Sequence, residues 1–232
     1  MQSVNSIPKS KIAFFDFCET IVDFQTADAF VDFVRERTGN SRMVWMNRCH
    51  TVLSKVKIIK IAEKLTGYRH SINKQLKLLQ LRGFEYTLLD NLAKEYYQKR
   101  LKPHFIDQLL SELLNKKEQG YEIVLVSGGY SIYLKYFAEE YCVNKVISSS
   151  IGFKRNICTG KFGSIDCLNE NKVILLESIY DRQNLECIAY SDSITDLPLL
   201  TWVDEGYVVS RGRSQKWSYE NKLNEIVWTR KK

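Results

Sequence analysis

Short runs of consecutive apolar residues alternate along this chain with stretches whose apolar positions recur every three to four residues. The runs at 12–17, 122–127, 145–150, 187–191 and 207–210 are rich in Ile, Val, Phe and Tyr and end at Gly, Ser or charged residues. That is the pattern of strands buried on both faces. Between them, 103–119 puts Phe105, Ile106, Leu109, Leu110, Leu113 and Leu114 on one side of a helix, opened by Pro103 and closed before Gly120. Segments 131–140 and 171–181 read the same way. Strands alternating with helices predict an α/β fold built on a parallel sheet.

The pattern breaks between the first two strands. From Thr26 to about Lys102 no strand run occurs, and helices are expected at 27–37, 42–54, 55–65, 71–81 and 85–100, punctuated by Gly39, Gly67 and Gly83. A connection this long is too large for a loop in a compact domain. It reads as a helical subdomain, 25–102, inserted into a core of 1–24 and 103–232, hinged near 24–26 and 102–103 and able to cover a site as a lid. The tail after Arg211 predicts a last helix or strand, from the spacing of Trp217, Leu223, Ile226, Val227 and Trp228.

Composition narrows the class. The chain has 232 residues, 44% hydrophobic and 26% charged, enough for a full core. No apolar run reaches the roughly 18 residues of a membrane span. The polar start at 1–11 lacks the apolar stretch of a secretory signal, so a cytoplasmic location is expected. The six cysteines show no CxxC spacing, which argues against zinc and disulfide frameworks; Cys142 and Cys187 are expected in the core. A net charge of +7 comes without a nucleic-acid motif. It reads as solvated helix faces and a basic tail, and suits an enzyme that draws in phosphate esters.

The chemistry gathers at strand ends. Asp16-Phe17-Cys18-Glu19-Thr20 follows the first run, Ser127-Gly128-Gly129 the second, and Ser191-Asp192-Ser193-Ile194-Thr195-Asp196 the run at 187–191; Lys172 opens a helical pattern. Ligands of open parallel sheets bind beyond the carboxyl ends of the strands. A carboxylate there can attack phosphorus, which makes Asp16 the candidate nucleophile. Asp16, Asp192 and the Cys18 carbonyl are candidate Mg²⁺ ligands, with Asp196 behind them orienting water or Lys172. Ser127, Gly128, Thr20 and Lys172 are candidate phosphate-binding residues.

These four motifs resemble those of the haloacid dehalogenase superfamily, and within it the phosphoserine phosphatase-like subfamily (subclass IB). The first reads Phe15-Asp16-Phe17-Cys18-Glu19-Thr20-Ile21-Val22 and the second Val124-Leu125-Val126-Ser127-Gly128-Gly129-Tyr130. The third is Lys172, preceded by Thr159-Gly160-Lys161, and the fourth Tyr190 through Leu200. The resemblance implies a Rossmann-like core, an all-helical cap after the first motif, Mg²⁺, and hydrolysis of a small phosphorylated metabolite through an aspartyl-phosphate on Asp16. Two positions depart from it. The family's general-acid aspartate is Cys18 here, a poor base toward water at neutral pH, with neighbouring Glu19 as a possible substitute. The glutamate that holds the amino group of phosphoserine is Gln25, which argues against that substrate. Cap residues Arg42, Arg48 and His50 are candidates to recognise another ester. A phosphotransferase, or a catalytically silent protein that binds phosphate esters, are the alternatives.

Overall fold

The structure, a computed structural model, describes residues 9–55 and 71–230. Strands β1 (Ser10–Phe15), β2 (Glu122–Tyr130) and β3 (Lys145–Ser149) lead into a hairpin of β4 (Ile151–Lys154) and β5 (Ile157–Phe162). Then come β6 (Leu185–Ser191), β7 (Glu205–Arg211) and β8 (Asn224–Trp228). Apart from the hairpin they form one six-stranded parallel sheet in the order β3-β2-β1-β6-β7-β8. This is the doubly wound Rossmann-like order, whose direction of winding reverses between β1 and β6.

Alternation along the strands explains the two-sided core. Ala13, Phe15, Ile123, Leu125, Ile188 and Tyr190 face one apolar cluster. Their neighbours Ile12, Phe14, Val124, Val126, Cys187 and Ala189 face the other. Helices α5 (Asp107–Glu118) and α6 (Ser131–Glu140) supply Leu109, Leu113, Ile132 and Leu134 to the first. Helices α7 (Glu170–Glu177) and α8 (Leu197–Trp202) supply Leu176, Leu199 and Leu200 to the second. The tail forms both a short helix, α9 (Lys216–Glu220), and the edge strand β8.

From Thr26 to Leu101, the described residues form α1 (Thr26–Thr38), α2 (Ser41–Lys55), α3 (Ile72–Leu79) and α4 (Tyr86–Tyr96), which runs on into a π-helical turn, Tyr97–Leu101, with no strand among them. The helix expected at 55–65, and Gly67, fall outside the described residues beyond Lys55. In α1, Phe30, Val31, Phe33 and Val34 form the buried stripe, and Gly39 ends the helix at φ 57, a left-handed turn that glycine adopts without strain. The inserted helices share one apolar cluster with the sheet, through Phe30, Leu78 and Leu89. The two chain crossings lie side by side: the Asp23 amide donates to the His104 carbonyl at 3.1 Å.

Several expectations are corrected. The helix expected from 103 begins at Asp107, because Pro103 sits in a separate 3₁₀ turn, Lys102–His104. β2 does not stop at Ser127. It continues to Tyr130 through a bulge, since Ser127 pairs Ser148 and Tyr130 pairs Ser149, leaving Gly128 and Gly129 as the extra residues. The hairpin β4–β5 was not expected. Its turn residues Arg155 and Asn156 adopt φ 50 and φ 63, a conformation usually signalled by Asn-Gly or Asp-Gly. Cys142, expected in the core, is exposed in the left-handed turn after α6; Cys187 is buried. Among the described residues no helix is long and apolar enough to cross a membrane.

Candidate active site

Asp16 follows β1 and Asp192 follows β6, so both stand at the reversal point of the sheet. The Asp16 amide donates to the Tyr190 carbonyl at 2.9 Å, continuing the β1–β6 ladder for one residue and fixing where the carboxylate emerges. Thr20 joins the two acids. Its hydroxyl lies 3.4 Å from Asp16 Oδ2 and 3.2 Å from Asp192 Oδ1, and it accepts the Asp192 amide at 3.1 Å. The Thr20 side chain, expected on phosphate, is thus fully buried and occupied with the carboxylates.

Lys172, only 1% exposed, is carried in by the first turn of α7. Its Nζ donates to Asp16 Oδ1 at 2.8 Å and to Asp196 Oδ2 at 2.5 Å. Ser191 Oγ holds the same Asp196 oxygen at 2.6 Å. A lysine at this depth is stable because two carboxylates surround it, and they raise its pKa above the usual lysine value against the opposing effect of burial. Burial is also the largest influence on Asp16; together with Asp196 it outweighs Lys172 and raises the Asp16 pKa.

Asp192 has no salt bridge among the described residues. Burial first, then the charges of Asp16, Glu19 and Asp196, push it up to about 8. This excess of carboxylate over cation fits a hard divalent cation. Asp16 and Asp192 with a main-chain oxygen make a donor set of the kind Mg²⁺ takes while keeping several waters. Among the described residues no three His, Cys, Asp or Glu side chains form a ready-made metal cage.

Cys18 is buried beside the carboxylates. Its Sγ lies 2.9 Å from Thr26 Oγ1 and 3.9 Å from Ser127 Oγ, and Thr26 Oγ1 contacts the Tyr133 hydroxyl at 2.7 Å. Burial, then the Asp16 charge, push the thiol up to about 11, so it is protonated at neutral pH. Ser127 is fully buried, and its Oγ accepts the Gly129 amide at 3.1 Å. A Cβ at Gly128 would meet Leu168 Cδ2 at 2.4 Å, so any larger residue there would require the Leu168 side chain to move. Glu19 takes φ 55 and is exposed, bonded to the Gln25 amide; it lies outside the cavity lining, although its charge reaches Asp192.

A cavity of about 290 Å³ opens over these groups, lined on the core side by Asp16, Cys18, Gly128, Lys172, Asp192 and Asp196. The inserted helices add Gln25, Asp28, Ser71, Asn73 and Lys74. Arg42, Arg48 and His50 are absent from its wall: Arg42 donates to the Gln80 and Arg82 carbonyls, and His50 bonds Asn73 at 2.7 Å. Thr26, Asp28 and Lys74 were not anticipated. Asp28 follows Gln25 by three residues, which puts both near one side of the α1 N-terminus, a spacing that could have flagged it. Nothing local marks Lys74.

A family model of haloacid dehalogenase-like hydrolases matches residues 13–201. No curated protein sequence matches the chain. Among solved structures, a protein of unknown function from Bordetella pertussis Tohama I aligns over 94% of this chain and 98% of its own, at TM-score 0.74 and 18% identity. A substrate-bound phosphoserine phosphatase complex aligns over 95% of this chain and 94% of its own, at TM-score 0.64 and 17% identity. A HAD family hydrolase from Salmonella enterica subsp. enterica serovar Typhi covers 95% of this chain and 68% of its own, at TM-score 0.63 and 18% identity. At these identities the likeness speaks to the fold.

Proposed function

This chain belongs to the haloacid dehalogenase-like hydrolase family, and from that premise we propose that it is a Mg²⁺-dependent phosphomonoesterase acting through an aspartyl-phosphate on Asp16. The observation that carries the reading is the convergence of Asp16, Asp192 and the Lys172–Asp196 pair at the reversal point of the sheet. The cavity of about 290 Å³ lies at the small end of ligand sites and suits a small phosphorylated metabolite. The helices of 25–102 form the cap that encloses it.

Mg²⁺ held by Asp16, Asp192 and the Cys18 carbonyl would neutralise charge between the carboxylate and the phosphoryl oxygens. Lys172 holds Asp16 Oδ1, which orients the carboxylate and leaves Oδ2 toward Thr20 and Asp192. The Asp16 carboxylate attacks phosphorus, the ester P–O bond breaks, and the leaving alkoxide takes a proton from the Cys18 thiol. Water then attacks the acyl phosphate and releases inorganic phosphate. The thiolate left behind, whose parent thiol has its pKa pushed up to about 11, takes a proton back from solvent. The neutral thiol then accepts none from the attacking water, which loses its proton to solvent instead, so this second step is the slow one. The same feature supports a second reading, phosphotransfer, in which an alcohol captures the phosphoenzyme.

The test is Mg²⁺-dependent phosphate release across a panel of phosphorylated metabolites, with and without added alcohols. Restoring the carboxylate with Cys18→Asp is expected to raise turnover by roughly 10²–10⁴-fold, the usual worth of general acid–base help. Unchanged or lower turnover in a folded Cys18→Asp variant would remove the thiol as the limiting feature. Alcohols that speed turnover and become phosphorylated would favour transfer. A folded wild type silent on the whole panel, with activity gained in Cys18→Asp, would mean a phosphate grip without its acid–base.

Asp192 also sets a pH dependence. Its folded pKa, about 8, lies above its ordinary 3.8. The folded metal-free protein therefore binds a proton that the unfolded chain has lost, and stability falls as pH rises from about 4 to about 8. Mg²⁺ needs the carboxylate form, so its stabilisation is expected to grow over the same range. Thermal melts with and without millimolar Mg²⁺ should show a larger shift at pH 8 than at pH 6. An equal or smaller shift at pH 8 would remove Asp192 from the ligand set.

A further inference from the structure

Lys74, on cap helix α3, is 6% exposed and reaches across to the core. Its Nζ donates to the Gly128 carbonyl at 2.5 Å, to Ser149 Oγ at 3.0 Å and to Asp166 Oδ1. An ammonium group has three N–H donors, and these three contacts use all of them. Lys74 therefore lines the cavity without a donor left for a ligand.

Each partner belongs to an element of the phosphate grip. Gly128 is the bulge residue after Ser127. Asp166 begins the segment leading to Lys172: its backbone carbonyl accepts the Leu168 amide at 2.9 Å and Asn171 Nδ2 at 2.9 Å. Ser149, at the end of β3, donates to Asp166 Oδ1 at 2.6 Å and accepts the Cys167 amide at 3.0 Å. Leu168 in turn closes over Gly128. The cation also sits over the Tyr130 and Phe162 rings, 5.3 and 5.2 Å from their centroids. A buried ion pair is a poor source of net stability but a strong constraint on geometry.

Building on the phosphatase reading, we propose that Lys74 is a positioning residue: it clamps the cap to both the Ser127–Gly129 bulge and the Asp166–Lys172 segment, so that the phosphate grip is complete only when the cap is seated. Opening the cap withdraws the ammonium from Gly128 and Asp166 together, which ties phosphate release to cap motion.

The same helix provides a control. Lys77, 8% exposed and one turn further on, pairs with Asp32 and Asn47 inside the cap at 2.9 and 3.2 Å and does not reach the bulge. The experiment compares wild type, the neutralised pair Lys74→Met/Asp166→Asn, and Lys77→Met. It reads inorganic phosphate binding by calorimetry in millimolar Mg²⁺ and amide exchange at 127–130. The neutralised pair leaves no buried unpaired charge, so it is expected to fold. It should bind phosphate about 10–100-fold more weakly, the usual effect of losing a group that orients a binding residue, with faster exchange at 127–130. Lys77→Met should lose stability while keeping wild-type phosphate affinity and exchange at the bulge. Unchanged exchange at 127–130 in the neutralised pair, or equal loss of affinity in Lys77→Met, overturns the clamp. If wild type binds no phosphate yet the neutralised pair exchanges faster at 127–130, the phosphatase reading falls and the clamp stands.

Discussion

Asp16→Asn is expected to lower Mg²⁺-dependent phosphate release by about 10⁴-fold or more, the scale on which covalent enzymes lose rate with their nucleophile. The change keeps the shape of the side chain. An amide oxygen can still accept from Lys172, whose second partner, Asp196, is untouched. The fold should therefore persist, which separates lost chemistry from lost structure. The amide cannot attack phosphorus and is a weaker cation ligand, so no phosphoenzyme should form. Rate measurements on the best substrate, joined to mass spectrometry of acid-quenched protein, check both points: phosphorylated Asp16 in wild type, none in the variant. A folded Asp16→Asn variant that turns over at the wild-type rate would refute the nucleophile assignment.

Lys172→Met is expected to produce the largest loss of stability, about 3–5 kcal/mol at neutral pH, the cost of breaking one side of a buried ion pair. Asp16 and Asp196, 5% and 3% exposed, would both lose their cation. The sign of the pH dependence follows. Folded Asp16 already holds its proton more tightly than the unfolded chain does, and losing Lys172 strengthens this, so the deficit is full at high pH and shrinks as pH falls toward the ordinary carboxylate range. Urea denaturation at pH 8 and pH 5 measures it, and adding Asp16→Asn should recover part of the loss. A deficit that is absent, or that widens on acidification, would mean that Lys172 does not hold the two acids together.

Much of the fold was legible because its signals are local. The runs at 12–17, 122–127 and 187–191 are apolar on both faces, too short for a buried helix and rich in β-formers, which is how a strand covered on both sides reads. The absence of any such run from 26 to 102 marked the helical insertion for the same reason. The motif positions at strand ends placed Asp16 and Asp192 at one edge, with Ser127 just before the bulge in β2, since a parallel sheet delivers every carboxyl end to the same side. Where local signals were weak the reading failed. Arg155-Asn156 is an unusual hairpin turn, and Pro103 opens a 3₁₀ turn before the helix that its position suggested.

By itself, then, the sequence determined the class of fold, the insertion after the first strand and the set of groups at the sheet edge, because periodicity and strand-end chemistry are written within a few residues. Only the tertiary structure decided the partners. Thr20 joins the carboxylates, Cys18 is buried against Thr26, and Arg42, Arg48 and His50 stand apart while Asp28 and Lys74 line the cavity. These contacts bridge residues far apart in the chain, as Lys74 does in reaching Gly128, Ser149 and Asp166. They depend on how the inserted helices seat on the sheet, a choice made by packing and by the pairing of buried charge, which no short stretch of sequence records.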